Sequence, residues 1–130
     1  MTLPTNAVHE LSQRFYFEAA HTLRRVVEAE GSRRVHGHTY HAEVFLSGPR
    51  DPATGMVLDL GLLRRGLEVV REQLDHHMLD DVPGLGTPTL ENLCVFIAQA
   101  LPADLRASVS RVRVWREALG DSCMLDFPQP

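Results

Sequence analysis

Residues 14–21 read RFYFEAAH and residues 36–46 read HGHTYHAEVFL, and these two stretches decide the fold. In the first, Phe15, Phe17, Ala19 and His21 fall on one face and Arg14, Tyr16, Glu18 and Ala20 on the other. That period of two is the mark of a half-buried strand. The second stretch repeats it: His36, His38, Tyr40, Ala42, Val44 and Leu46 share a face, opposed by Gly37, Thr39, His41 and Glu43. A polar, charged segment at 22–35 separates the two strands, and GPRDPATG at 48–55 is dense in turn formers and ends the second.

Working outward, the period changes. Asp59 is placed to cap a helix whose stripe is Leu63, Leu67, Val70 and Leu74, ending near Asp75-His76-His77. DDVPGLGTP connects it to a second helix with Leu90, Leu93, Cys94, Ile97 and Leu101 on its stripe and Thr87 or Thr89 as cap. Two further strands are expected at 109–117 and 122–127, joined around Gly120. The order is strand-strand-helix-helix-strand-strand. Such segregation predicts an α+β fold, an antiparallel sheet with both helices on one face. A small sheet of this kind leaves edges and one face open, so a homo-oligomer is expected.

The chain of 130 residues suits one domain over 1–130, with 44% hydrophobic and 23% charged residues in the globular range. Nine glycines and eight prolines are too few for a low-complexity chain. The net charge of −4 argues against a phosphate-tracking nucleic-acid surface. All basic residues are arginine, which excludes Schiff-base lysine chemistry and a lysine-dependent phosphate loop. Neither a membrane span nor a signal peptide is expected, and the location expected is cytoplasmic. Cys94 and Cys123 have no metal or redox spacing; Cys94 reads as core packing.

Seven histidines carry the chemistry. His36 and His38, two apart, project from one strand face, the one that Tyr40, Ala42 and Val44 mark as core. His21 closes the apolar face of the first strand. If the strands pair as a long hairpin, three imidazoles meet at one end of the sheet, and a three-histidine set leaves a zinc ion a fourth position for water or substrate. Asp75 beside His76 and His77 offers an acid/base pair with one of the two histidines, or a helix end stabilised by cationic histidine. His9 and His41 read as solvated surface. Glu117, ending a strand, is either a heterocycle-binding carboxylate or simply exposed. The pairs Arg24-Arg25 and Arg33-Arg34 flank the site and either meet a polyphosphate or are solvated.

FEAAH (17–21), HGHTYH (36–41), LDHH (74–77), PTLEN (88–92) and a late Glu117 occur together in this order. With them the chain resembles the 6-pyruvoyl-tetrahydropterin synthase and 6-carboxytetrahydropterin synthase family over nearly its full length, and is similar to the bacterial 6-carboxytetrahydropterin synthases in particular. The resemblance implies the tunnelling fold, with trimers closing their sheets into a barrel, two trimers stacking, and sites between subunits. It implies zinc on His21, His36 and His38, a proton relay of Asp75 and His76 from a neighbouring subunit, and pterin contacts from Glu117 and Thr89. The implied substrate is 7,8-dihydroneopterin triphosphate, which would lose triphosphate and a two-carbon aldehyde to give 6-carboxytetrahydropterin, in the queuosine or a related pterin route.

One position departs from the pattern. The family's general-base cysteine lies four residues before the first histidine of HGH, and that residue here is Ser32. A thiol ionises near pH 8.5, whereas a serine hydroxyl needs a partner base. The readings left open are a lyase in which Ser32 stands at the catalytic position, a pterin-binding protein without turnover, and a variant enzyme that cleaves the pterin side chain using Glu30. A sister branch carries glutamate at this position, and Glu28 and Glu30 are the nearest carboxylates.

Overall fold

The computed structural model describes residues 2–4 and 7–128. Its elements run β1 (His9–His21), α1 (Ala29–Arg33), β2 (His36–Gly48), α2 (Leu60–Leu74), a single 3-10 turn (Leu79–Asp81), α3 (Leu90–Ala100), α4 (Ala103–Arg106), β3 (Val109–Arg116) and β4 (Asp121–Asp126). The four strands form one antiparallel sheet in the order β1-β2-β3-β4. This is the expected α+β layout, with α2 and α3 packed on a single face of the sheet.

The alternating pattern becomes the core directly. Phe17, Tyr40, Ala42, Val44, Val112 and Val114 from the sheet meet Leu63, Leu67, Val70, Leu93 and Ile97 from the helices, all buried. Each buried Phe, Val, Leu or Ile among them contributes about 1.5–3 kcal/mol over remaining in water. Where α2 meets the α3–α4 corner the sequence has Gly66; a Cβ there would stand 3.0 Å from Leu105 Cδ1, so even alanine would require the Leu105 side chain to give way.

Helix boundaries follow local chemistry. The Asp59 carboxylate accepts from the Gly61 amide at 2.8 Å, and the Thr89 hydroxyl from the Asn92 amide at 3.1 Å, each satisfying a donor the helix itself leaves open. α2 stops at Leu74 because Asp75 is extended and His76 turns into the left-handed region at φ 59°. The chain after it runs beside the end of β1, with the His76 amide donating to Glu18 O at 2.6 Å and the Ala20 amide to His77 O at 3.2 Å.

Several boundaries differ from the sequence reading. β1 begins at His9, not Arg14, because its weakly apolar first turns pair in register with residues 44–48 of β2. β3 ends at Arg116 and β4 spans Asp121–Asp126, so Glu117 and Phe127 lie outside the strands. Register shifts between Phe45 and Leu46, opposite Ser110, and this bulge lets Val109 face the core together with Val112 and Val114. The segment taken as a plain interruption contains α1, braced by the ion pairs Arg25–Glu28 and Arg34–Glu30. His41, expected as solvated surface, is half-buried and stacks on Trp115 with ring centroids 5.4 Å apart.

Candidate metal centre

The β1–β2 register sets His21 directly opposite His36 and His38 opposite Ala19. Three imidazoles therefore converge at the end of the hairpin, as the alternation predicts. Ring centroids are 4.5 Å apart for His21 and His36, 5.0 Å for His21 and His38, and 4.9 Å for His36 and His38, all edge-on. Among the described residues, this is the group of histidine, cysteine or carboxylate side chains disposed to hold a metal, with ligand atoms all within 4.8 Å of one another.

Backbone carbonyls fix two of the rings. His21 Nδ1 is 3.0 Å from Pro88 O, and His36 Nδ1 is 2.7 Å from Arg34 O. A carbonyl only accepts, so each Nδ1 carries the proton and each Nε2 presents its lone pair to the centre. The two Nε2 atoms lie 2.9 Å apart. Zinc–nitrogen bonds of about 2.0–2.1 Å at tetrahedral angles separate two ligand atoms by roughly 3.3 Å, so a slight spreading of the rings accommodates the ion. The donor set fits zinc.

Electrostatics favour the neutral form of His21 and His38. Burial lowers the His21 pKa, assisted by the neighbouring His36 and Arg116 charges. Burial, the Arg116 guanidinium and the other two imidazoles push His38 down to about 4. Beneath the rings Tyr40 is fully buried, and that burial holds its phenol protonated, its pKa raised to about 12. Neutral imidazoles are the form a metal needs.

A cavity of about 460 Å³ opens over the triad, walled among others by Arg25, Glu28, Thr89, Arg116 and Leu119. Thr89 thus combines a capping role with a place in the wall. Ser32 is buried under the adjoining loop: its hydroxyl donates to Ala29 O at 2.9 Å and receives the Arg25 amide at 3.2 Å, and it is not part of the cavity wall. Glu30 is exposed and paired with Arg34 at 2.9 Å, whereas Glu28 reaches the wall from a left-handed backbone at φ 57°. Glu117 sits exposed in the β3–β4 turn, two residues before Leu119.

Asp75 and His76 form a second constellation. The Asp75 carboxylate accepts from the Glu18 amide at 2.9 Å and from His76 Nδ1 at 2.8 Å, with Arg71 at 3.4 Å. Those hydrogen bonds, the Glu18 amide first, lower its pKa. The His76 ring is turned outward with Nε2 free of the pair, in a cleft it shares with His38, Glu18 and Thr39. His77 is spent differently, its carbonyl tying the segment to β1.

Sequence reasoning missed Arg116. The signal was parity: Val112, Val114 and Arg116 share a strand face, so the chain delivers Arg116, not its successor Glu117, toward the imidazoles. Cys94 is buried in the core, with its thiol pushed up to about 12 by that burial. No helix is long and apolar enough to cross a membrane among the described residues.

A family model described as 6-pyruvoyl tetrahydropterin synthase matches residues 10–126. A 6-carboxy-5,6,7,8-tetrahydropterin synthase of Synechocystis is 39% identical over 89 residues, 64% of this chain and 67% of that protein. A dihydroneopterin monophosphate aldolase of Pyrococcus furiosus is 31% identical over 101 residues, 76% of this chain and 82% of that one. The solved 6-pyruvoyl tetrahydropterin synthase of Caenorhabditis elegans superposes with a TM-score of 0.80 over 97% of this chain and 100% of that one, at 22% identity, so the tunnelling fold is shared. A family match across the strands, both long helices and the histidine triad settles the assignment: this chain belongs to the 6-pyruvoyl tetrahydropterin synthase family.

Proposed function

We propose that this protein is a zinc-dependent lyase acting on 7,8-dihydroneopterin triphosphate and yielding 6-carboxy-5,6,7,8-tetrahydropterin with loss of triphosphate and acetaldehyde. The observation that carries the reading is the convergence of His21, His36 and His38 with two Nε2 lone pairs aimed inward by carbonyl-bound Nδ1 protons. Zinc held there would lower the pKa of a coordinated side-chain hydroxyl and ease proton transfer at the adjacent carbon.

The protein's own groups divide the remaining work. Asp75 fixes the His76 tautomer, leaving Nε2 to take or return a proton, and it stabilises the imidazolium once formed. In this reading His76 serves the triad of a neighbouring subunit. Thr89 in the cavity wall and Glu117 on the adjoining turn contact the pterin. The assembly is a dimer of trimers in the cytoplasm. Support for assembly comes from an open sheet face bearing exposed Tyr16 and Met124 around Trp115, and from exposed Val26 and Val27 beside the site. Both are surfaces a lone chain leaves to water.

Incubation of the zinc-loaded protein with 7,8-dihydroneopterin triphosphate tests the reading. Product is expected and is expected to vanish in His76→Ala; no turnover with zinc fully bound overturns it. One observation favours a second reading, a pterin-binding protein without turnover: the Ser32 hydroxyl, at the position of the family's base, is committed to two backbone hydrogen bonds. Tight pterin binding with no product, together with activity gained in Ser32→Cys, would select it. A side-chain-cleaving reaction, in line with the aldolase relative, needs a carboxylate base. Glu28 in the wall is then better placed than Glu30.

A further inference from the structure

Arg116 stands in the cavity wall beside the triad, and its placement is closely determined. Asp121, its cross-strand partner on β4, receives Nε at 2.9 Å and Nη2 at 2.6 Å in a two-pronged fork. The fork leaves Nη1 directed at His38, 3.3 Å from Nε2. The side chain is only 15% exposed, so the guanidinium is held rather than waving in solvent. Tyr40 lies below, and Leu119 and Asp121 complete this side of the cavity.

Asp121 offsets the guanidinium's charge and occupies its Nε–Nη2 edge, so Nη1 is the donor left facing the triad. A carboxylate can take a guanidinium N–H with one oxygen and a metal ion with the other, so a single Nη1 donor beside the triad suits that group. We propose that Arg116 is a specificity-determining residue that, with the ion on the triad, selects ligands carrying a carboxylate on the atom nearest the metal. The identity of the ring bearing that carboxylate rests on the pterin reading; the carboxylate preference itself does not.

Two measurements separate these claims. Fluorescence titrations compare 6-carboxypterin with unsubstituted pterin on zinc-loaded protein. The wild type is expected to favour 6-carboxypterin by about tenfold or more, as one charge-assisted hydrogen-bonded contact warrants. Arg116→Gln is expected to abolish that preference while binding pterin as before, and Arg116→Lys to restore part of it. In the second measurement the protein is loaded with Co2+, and oxalate is titrated while the visible d–d bands are followed. Oxalate is expected to shift the bands at a concentration about tenfold lower in wild type than in Arg116→Gln. An unchanged carboxylate preference in Arg116→Gln, or an unchanged oxalate midpoint, overturns the assignment. If neither pterin binds while oxalate still depends on Arg116, the pterin reading fails and the carboxylate site stands.

Discussion

At the residue scale the lowered pKa values of His21 and His38 make a pH prediction with a definite sign. His21 and His38 have folded pKa values below the ordinary 6.5, His38 at about 4. Below pH 6.5 the unfolded chain therefore takes up protons that the folded chain refuses. Stability then falls as pH drops from 6.5 toward about 4 and this contribution flattens below that. For protein stripped of metal by a chelator, the urea midpoint is expected to decline steadily through that window. His38→Gln is expected to show a shallower decline, and an equal slope in the two proteins would contradict the assignment. Asp75 and Asp121, whose pKa values are lowered by their hydrogen-bond donors, lose their contribution only below the ordinary carboxylate range, at pH under 3.8. The two effects separate on the pH axis.

At the scale of elements, caps and the loop over the site are the points of leverage. Thr89→Ala removes the hydroxyl that caps α3 and is expected to cost about 1 kcal/mol in chemical denaturation. Leu67→Ala empties a buried position between α2 and the sheet and is expected to cost about 2–5 kcal/mol. Ser32 ties its loop together: besides the hydroxyl bonds, its carbonyl receives the Leu23 amide at 2.6 Å and its amide donates to Glu28 O at 3.0 Å. Ser32→Ala removes the hydroxyl pair and keeps the backbone pair. Hydrogen exchange at Arg25 is expected to accelerate by about fivefold, in proportion to a lost bond of about 1 kcal/mol, with global stability little changed. Protection at Arg25 equal to wild type would show that the hydroxyl is not what orders the loop.

At the scale of the whole molecule, the triad belongs to the β1–β2 hairpin and the Asp75–His76 pair to the turn after α2. If sites form between subunits, mixing two inactive variants is informative. His36→Ala and His76→Ala, unfolded together in equal amounts and reassembled, are expected to recover about a quarter of wild-type activity if subunits mix at random, since half the sites draw an intact triad and half of those draw an intact relay. Recovery of no activity would place the relay and triad in one chain. Sedimentation is expected to give six chains per particle under the dimer-of-trimers reading, and a monomer would contradict it.

Much of this was legible from residue order. Alternation over 14–21 and 36–46 named the strands, their buried faces and the three histidines that share one end, because a period of two admits a single assignment of faces. The helix stripes and the caps Asp59 and Thr89 were equally local. Tertiary structure alone decided which carbonyls fix the imidazole tautomers, since Pro88 lies far from His21 in the chain. It decided that Ser32 points into its own loop, that the Ser110 bulge resets the β3 faces, and that Arg116 is the residue presented beside His38. Local periodicity states which face a residue takes; only packing of distant segments states what waits on that face, and a hydrogen bond across the fold leaves no trace in the spacing of its two ends.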